Sequence, residues 1–544
     1  MLADFASLTR FEKVLCLFTR VRPGEGRSVA LFIAQSFLLL FSYYIVKAQR
    51  EAFVLSEFSA EVRSYAVASI ALLLMVLMPA YTALRRRVDG ERLIETIILV
   101  FAATLLVFCA LFALGVRSGF AFFIWVSIFG VAVVAQFWAF AADTFNLKSG
   151  QRLFPVIMVG ANLGGLVGAR AAVYGAEHLS PVELMLVATV ALIATIAFAR
   201  PARRSVPEGS RAALVREGNA SGALLGGIAL VFRDSYLLLI ALLVILLNWI
   251  NSTGEFILAD VVQQQAAAQV AAGEASSQIA FITAFYGSFH FWVTLLGLAI
   301  QLFVVARVYR LVGVRGALLV LPVIVALGYG LVVFLPVFAI IRGVKILENS
   351  VDYTLMNTTR QALFLPVSRA AKYDGKTAID TFFWRVGDLI QALVIFAGMR
   401  FLALDAYDFA LLNLVLALGW LLLAVVIGQR YRALANAYVL NVAPEAHKPI
   451  PDVWLRPGEA VCCNVASDAF TDADPGDVLR LAARREGGEA LPAWLRFDAS
   501  RREFTGVAPV DVETVIRVEV IASDVDGSEV SSSFAFRCIR QQPC

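Results

Sequence analysis

Apolar positions in this chain gather into blocks of about 20 residues, enough for an α-helix to cross a ~30 Å hydrocarbon core. Twelve blocks are read. In the first half they lie near 28–49, 64–84, 92–115, 119–143, 152–174 and 181–199; in the second, near 236–260, 279–306, 313–335, 337–362, 377–402 and 407–429. The fifth, tenth and eleventh are broken by polar residues, and such residues in a membrane helix face a bundle interior or a water-filled cavity. After Ala433 the pattern changes to short β-branched runs such as Val515–Ala522, separated by turn signals, which predicts a small all-β sandwich. The predicted fold is an all-α polytopic membrane bundle in two six-helix halves, followed by that sandwich. The segments are an N-terminal stretch 1–27, halves at 28–199 and 236–432, a polar central loop 200–235, and a tail at 446–544.

Composition agrees: 60% of residues are hydrophobic and 16% charged, against about half and a quarter in soluble domains. The charged N-terminus has no cleavable signal pattern. Lys and Arg concentrate in every second loop and at both ends of the bundle (Arg20–Arg27, Arg85–Arg92, Lys148–Arg152, Arg200–Arg211, Arg307–Arg315, Arg369–Lys376, Arg430–Arg432). The positive-inside rule then puts both ends of the bundle in the cytoplasm, with the lipid bilayer as partner. Six helices, a central cytoplasmic loop and six more resemble the layout of major-facilitator transporters, whose substrate sites lie between the halves near the midplane. Of six cysteines, Cys16 and Cys109 fall in the membrane part. Cys462, Cys463, Cys538 and Cys544 cluster in the tail, as a disulfide or as free thiols.

Charge inside the apolar blocks carries the candidate chemistry. A charged side chain at the bilayer centre costs roughly 2.5–3.5 kcal/mol on insertion scales, so each must be paired or line water. Lys47 and Arg50 share a face near the end of the first block, poised for function or for snorkelling to the interface. In the tenth, Arg342, Lys345, Glu348 and Asp352 fall on one helical stripe with Asn349 at its edge, lining either a wet surface or an internal ion-pair ladder. Asp380, Arg385 and Asp388 repeat the theme in the eleventh. Asn248, Asn251 and Glu255 form a polar side of the seventh, beside Gly254, which could let the helix bend. Gly160, Gly164, Gly165 and Gly168 in the fifth signal close helix packing.

These residues carry a resemblance. The stretches FSYYIVKAQREAF (41–53), FWAFAADTFNLKSGQRLFPVIMVGAN (137–162), NWINSTGEFIL (248–258) and KILENSVDYTLMNTTRQALFLPVSRAAKYDGKTAIDTFFWRVGD (345–388) resemble the nucleotide transporter family, the non-mitochondrial ATP/ADP translocases. The resemblance covers most of 28–430 and implies a major-facilitator-like fold and exchange of charged, phosphorylated solutes. It matches Lys47 to a cationic position of the first span and Glu255 to an acidic one of the seventh. After the GKTAID block, where the family has Gly-Lys, this chain has Gly387-Asp388, which removes a phosphate ligand; Arg385 is placed to compensate. The tail resembles a dystroglycan-type cadherin-like domain through Phe470, Asp472, Asp474, Gly476, Asp477, Leu479, Leu491–Leu495, Phe497, Phe504, Gly506, Pro509 and Asp524–Gly527. That fold is usually extracytoplasmic, whereas the Lys/Arg count puts the tail in the cytoplasm, and the count is followed.

The leading expectation is a secondary carrier of an anionic, phosphorylated metabolite such as a nucleotide, working by alternating access with a proton or counter-substrate. Its candidate substrate-binding residues are Lys47, Arg50, Asn248, Glu255, Lys345, Glu348, Asp352, Arg385 and Asp388. The alternative is a receptor or scaffold acting through a protein partner of the tail. Three scattered histidines (His178, His290, His447), no nucleophile motif and no metal-ligand or cofactor signature argue against an enzyme. Arg85–Arg87 reads as a topology anchor rather than a nucleic-acid patch. Asp472, Asp474, Asp477, Asp524 and Asp526 are either calcium-binding turns or solvated turn residues.

Overall fold

The computed structural model describes residues 9, 12, 21–85, 90–207, 223–368, 370–440, 444–472, 478–509, 514–524 and 528–538. Its chain divides into two compact units, Met1–Ala362 with Gly375–Gly428, and Leu363–Asp374 with Gln429–Cys544. In the first, α1 (Gly26–Glu57), α2 (Ala60–Arg85), α3 (Gly90–Ala113), α4 (Gly119–Thr144), α5 (Leu147–His178) and α6 (Pro181–Arg204) form one set of six. The second set is α7 (Ser235–Ala271), α8 (Gln278–Ala299), α9 (Val305–Phe334), α10 (Phe338–Val351, continued through 362), α11 (Ala371–Phe401) and α12 (Ala406–Leu440). Among the described residues nine stretches are long and apolar enough to cross a membrane. One of them, Gln278–Phe334, is broken at Gly313, whose φ of 64° only glycine adopts at low cost. The charged α10 is not among the nine.

Several boundaries differ from the sequence reading: α7 runs on to Ala271 and α12 to Leu440, past the expected 260 and 429. The helix α1 continues past Arg50 to Glu57, so Lys47 and Arg50 lie inside a span rather than at its end, and snorkelling no longer accounts for them. Part of the expected central loop is a helix, Ala223–Arg233, because its ALLGGIALVF run is apolar; residues 208–222 lie outside the described residues.

Glycine sets the core of the first half. Gly160, Gly164 and Gly168 recur every four residues along one face of α5, and a Cβ there would meet the carbonyl oxygens of Ile33, Phe37 and Phe41 at 2.6, 2.1 and 2.4 Å. The close α1–α5 approach expected from spacing is therefore present. The halves meet through α1, α2 and α5 on one side and α7, α8 and α11 on the other. Described polar contacts joining them include Gln263 Nε2 donating to the carbonyls of Leu55 (2.7 Å) and Phe58 (2.8 Å), Gln391 Nε2 to Ser64 Oγ (3.2 Å), and Thr294 Oγ1 to the Tyr44 hydroxyl (3.4 Å).

In the tail, β2 (Val453–Leu455), β5 (Arg480–Arg485), β8 (Thr514–Ser523) and β9 (Glu529–Cys538) form a sheet in the order β2-β9-β8-β5. A second sheet has β3 (Ala460–Asn464), β7 (Glu503–Val507) and β6 (Leu495–Asp498), and β1 (Glu445–Ala446) pairs with β4 (Phe470–Thr471). Leu495, Phe504, Val518, Val520, Phe534 and Phe536 fill the core between the sheets, as alternation along the strands predicts. Gly506 is required by packing: a Cβ would stand 1.9 Å from the Trp494 carbonyl. Cys109, Cys462, Cys463 and Cys538 are free thiols, while Cys16 and Cys544 lie outside the described residues. No group of three or more potential metal ligands occurs among the described residues; Asp474, Asp477 and Asp526 of the calcium reading fall outside them.

Candidate functional site

Charges from four helices link into one chain. Arg50 on α1 reaches its neighbour Glu51 (3.1 Å), and Glu51 accepts from Arg63 Nε on α2 at 2.6 Å. Arg63 extends to Glu255 on α7 (3.5 Å), Lys345 on α10 lies 3.9 Å from the same carboxylate, and Lys345 ends the chain on Glu348 at 3.0 Å. The six charges alternate in sign, three cations and three carboxylates, and they cross from one half of the bundle to the other. Glu51, Arg63, Lys345 and Glu348 are each at most 4% exposed. At that depth pairing is obligatory, since an unpartnered charge would carry its full desolvation cost.

Neutral groups fix the chain in place. Lys345 Nζ donates to Asn251 Oδ1 (3.0 Å) and Asn349 Nδ2 to Glu255 Oε1 (2.9 Å). Tyr329 on α9 donates its hydroxyl to Glu348 at 3.3 Å. Arg50 also donates to Ser127 Oγ at 2.8 Å and lies over the Phe123 ring, which Arg63 shares. Gly254 does not bend α7, which runs unbroken from Ser235 to Ala271. It makes room instead: a Cβ there would sit 1.9 Å from the Tyr329 hydroxyl and 2.9 Å from Lys345 Nζ.

Lys47 stands apart from this chain. Its ammonium lies 5.3 Å from the Tyr44 ring centre and 6.0 Å from that of Tyr43, and among the described residues no carboxylate lies within 4.0 Å of it. It is the surplus cation of the site. Cation–π contacts stabilise an ammonium without neutralising it.

A second cluster sits where α11 packs on α7. Asp388, 4% exposed, accepts from Arg385 (3.2 Å) and from Ser252 Oγ (3.0 Å). Asn248 donates to the Trp384 carbonyl at 2.8 Å. Gly387 allows the approach, its Cβ position lying 2.8 Å from the Ile245 carbonyl. Asp352 is buried at the first position of a π turn, Asp352–Met356, which interrupts the stripe expected on α10. Arg342 points away from the ion chain, donating to Ser288 Oγ on α8 at 2.8 Å.

Of the residues expected from sequence, Arg50, Glu255, Lys345 and Glu348 come together, with Lys47 on the same face of α1 as Arg50. Asn248, Arg385 and Asp388 form the separate α7–α11 cluster. Glu51, Arg63, Asn251, Asn349 and Tyr329 complete the chain. Glu51 and Arg63 escaped the sequence reading because they fall between the apolar blocks, in the last turns of α1 and the first of α2.

The chain is 24% identical over 378 residues to "ADP,ATP carrier protein 1" of Chlamydia pneumoniae, spanning 60% of this chain and 70% of the relative. A protein of the same name from Chlamydia muridarum is 24% identical over 318 residues, 49% of this chain and 56% of the relative. The chain is a homologue of the ADP,ATP carrier proteins. The fold is of the major-facilitator type. The POT family transporter PepTSo aligns over 76% of this chain and 98% of its own with a TM-score of 0.51 at 14% identity. The nucleoside transporter NupG aligns over 76% and 99%, with the same score and identity. Residues 443–538 match the family model described as "Putative Ig domain", which covers the whole described sandwich. The apolar spans and the carrier homologues together make this an integral membrane protein.

Proposed function

We propose that this homologue of the ADP,ATP carriers is a secondary transporter that moves an anionic, phosphorylated metabolite, a nucleotide being the first solute to test. One observation carries the reading. The six-membered ion chain neutralises itself, and Lys47 beside it is left with aromatic faces for company and, among the described residues, no carboxylate within 4.0 Å. An anionic group on the solute supplies that missing charge. Tyr43 and Tyr44 offer faces against which a planar moiety stacks.

The ion chain also suggests how access alternates. Its two longest links, Arg63–Glu255 at 3.5 Å and Lys345–Glu255 at 3.9 Å, meet on Glu255. The first joins the halves, so parting them releases the Arg63–Glu255 link while leaving Arg63 with Glu51. The charge moved is balanced by a proton or by a counter-substrate. Asp388 takes a different part: it satisfies Arg385 internally, so the α7–α11 cluster positions helices rather than receiving phosphate. No chemical step is needed, and the protein acts as a carrier. By the Lys/Arg distribution both bundle ends face the cytoplasm of a bacterial inner membrane.

The test is uptake of labelled ATP, ADP and a panel of other phosphorylated solutes into proteoliposomes, empty or preloaded with unlabelled solute. Saturable uptake that requires preloading supports exchange; uptake driven by an imposed pH gradient supports proton coupling. No saturable uptake of any anionic solute would overturn the reading.

A further inference from the structure

On α8, two polar side chains one turn apart face the Lys47 region from the opposite half of the bundle. Tyr286 is 1% exposed, and among the described residues its hydroxyl has no hydrogen-bond partner; one turn on, the buried Nε2 of His290 has none among them either. Buried polar atoms nearly always find partners, and a pair left without one on the same face calls for an explanation. A run of ring contacts connects both to the surplus cation. The His290 ring lies 6.1 Å from that of Tyr44, edge to face, and Tyr44 is the ring beneath the Lys47 ammonium. The Tyr286 and His290 rings are themselves 6.1 Å apart.

We propose that Tyr286 and His290 are the second half of a split anion-binding subsite whose first half is Lys47. The oxygen of a phosphate or carboxylate on the solute accepts from the Lys47 ammonium, from the Tyr286 hydroxyl and from an Nε2–H of His290. The inference rests on the anionic reading of the solute given above and adds the residues that recognise it. Neutral donors suit this place: they bind an oxyanion without adding to the positive charge that the empty site must carry. Because the donors sit on different halves, one bound anion touches both, and ligand occupancy is tied to the relation between α1 and α8.

The test uses the purified full chain in detergent, titrated with ATP, ADP and inorganic phosphate and followed by thermal shift, with adenosine as the uncharged control. In Tyr286→Phe only an unpartnered oxygen is lost, so the ligand-free Tm stays level or rises while anion affinity falls about tenfold or more. His290→Leu weakens binding likewise, and His290→Gln, which keeps a donor, restores part of it. Wild-type affinity in both Tyr286→Phe and His290→Leu would overturn the subsite while leaving the carrier reading in place. Failure of the wild type to respond to any anion would remove the anionic reading, and the subsite with it.

Discussion

Arg63, only 4% exposed, touches two carboxylates: the buried Glu51 at 2.6 Å and the partly exposed Glu255 at 3.5 Å. Glu51→Gln leaves both Arg63 and Arg50 without their closest anion. Breaking one side of such a buried pair costs ~3–5 kcal/mol, so the variant is expected to unfold at distinctly lower temperature in detergent. Glu255→Gln is milder for stability, because Arg63 keeps Glu51, yet it removes the residue on which both long links meet. Its expected signature is a transport defect with a near-normal Tm. Lys47→Met keeps the stem packed on Tyr43 and Tyr44 and deletes only the charge. It is predicted to weaken binding of an anionic solute by about tenfold or more without destabilising the protein, and unchanged affinity in the same titration would refute it. Much of this site was legible. Arg50, Glu255, Lys345 and Glu348 announce themselves as charges in apolar blocks. Glu51 and Arg63 do not, because hydropathy ends a span where charges begin, whereas the helices continue while their charges pair internally. Tyr286 and His290 were invisible for another reason: an aromatic or imidazole on an apolar helix reads as core until its missing partner is seen.

Glycines act at the scale of elements. The pattern of every fourth residue on α5 was readable, and its consequence, backbone contact with α1, follows from spacing alone. Gly164→Ala puts a methyl 2.1 Å from the Phe37 carbonyl, a rigid backbone atom, so α5 must move off α1. Overpacking of this sort typically costs 1–3 kcal/mol or more, which a lower detergent Tm reads directly. Gly254→Ala is a different case. Its Cβ meets the Tyr329 hydroxyl at 1.9 Å, the tip of a rigid ring only 2% exposed, so the ring or α7 must shift and Glu348 loses a donor. Its damage is expected in transport as well as in stability. Sequence could not distinguish these two glycines, since a hinge and a notch for another helix's side chain look alike in one dimension. The apolar helix Ala223–Arg233 escaped similarly, being too short to register as a span among basic neighbours.

At the scale of the whole molecule, the Ig-like tail and the bundle are each held together by different physics. The tail has its own apolar core and its own surface ion pairs. A chain ending at residue 440 is therefore expected to retain solute uptake, whereas loss of uptake with Lys47 and Glu255 intact would favour a receptor acting through the tail. The tail's response to acid can be worked out from its carboxylates. Asp452 accepts from the Ala535 backbone N–H and then from Arg537, and these bonds hold its pKa below the ordinary carboxylate value. Glu519 is held low by the Arg484 guanidinium, and Asp498 by the Ser500 hydroxyl and the Arg501 N–H. A carboxyl group whose folded pKa is depressed binds fewer protons than the unfolded chain in the window between the two values. It therefore stabilises the fold above its unfolded pKa, and that stability drains away as pH falls through the folded one. The window opens near the ordinary carboxylate values, at about pH 4, and extends downward. The urea midpoint of a fragment spanning 443–544 should thus be flat from pH 7 to about 5 and then fall. Asp452→Asn, which keeps the shape and removes the titration, should flatten part of that fall. A midpoint that rises on acidification would show that these bonds do not set the pH dependence of the tail.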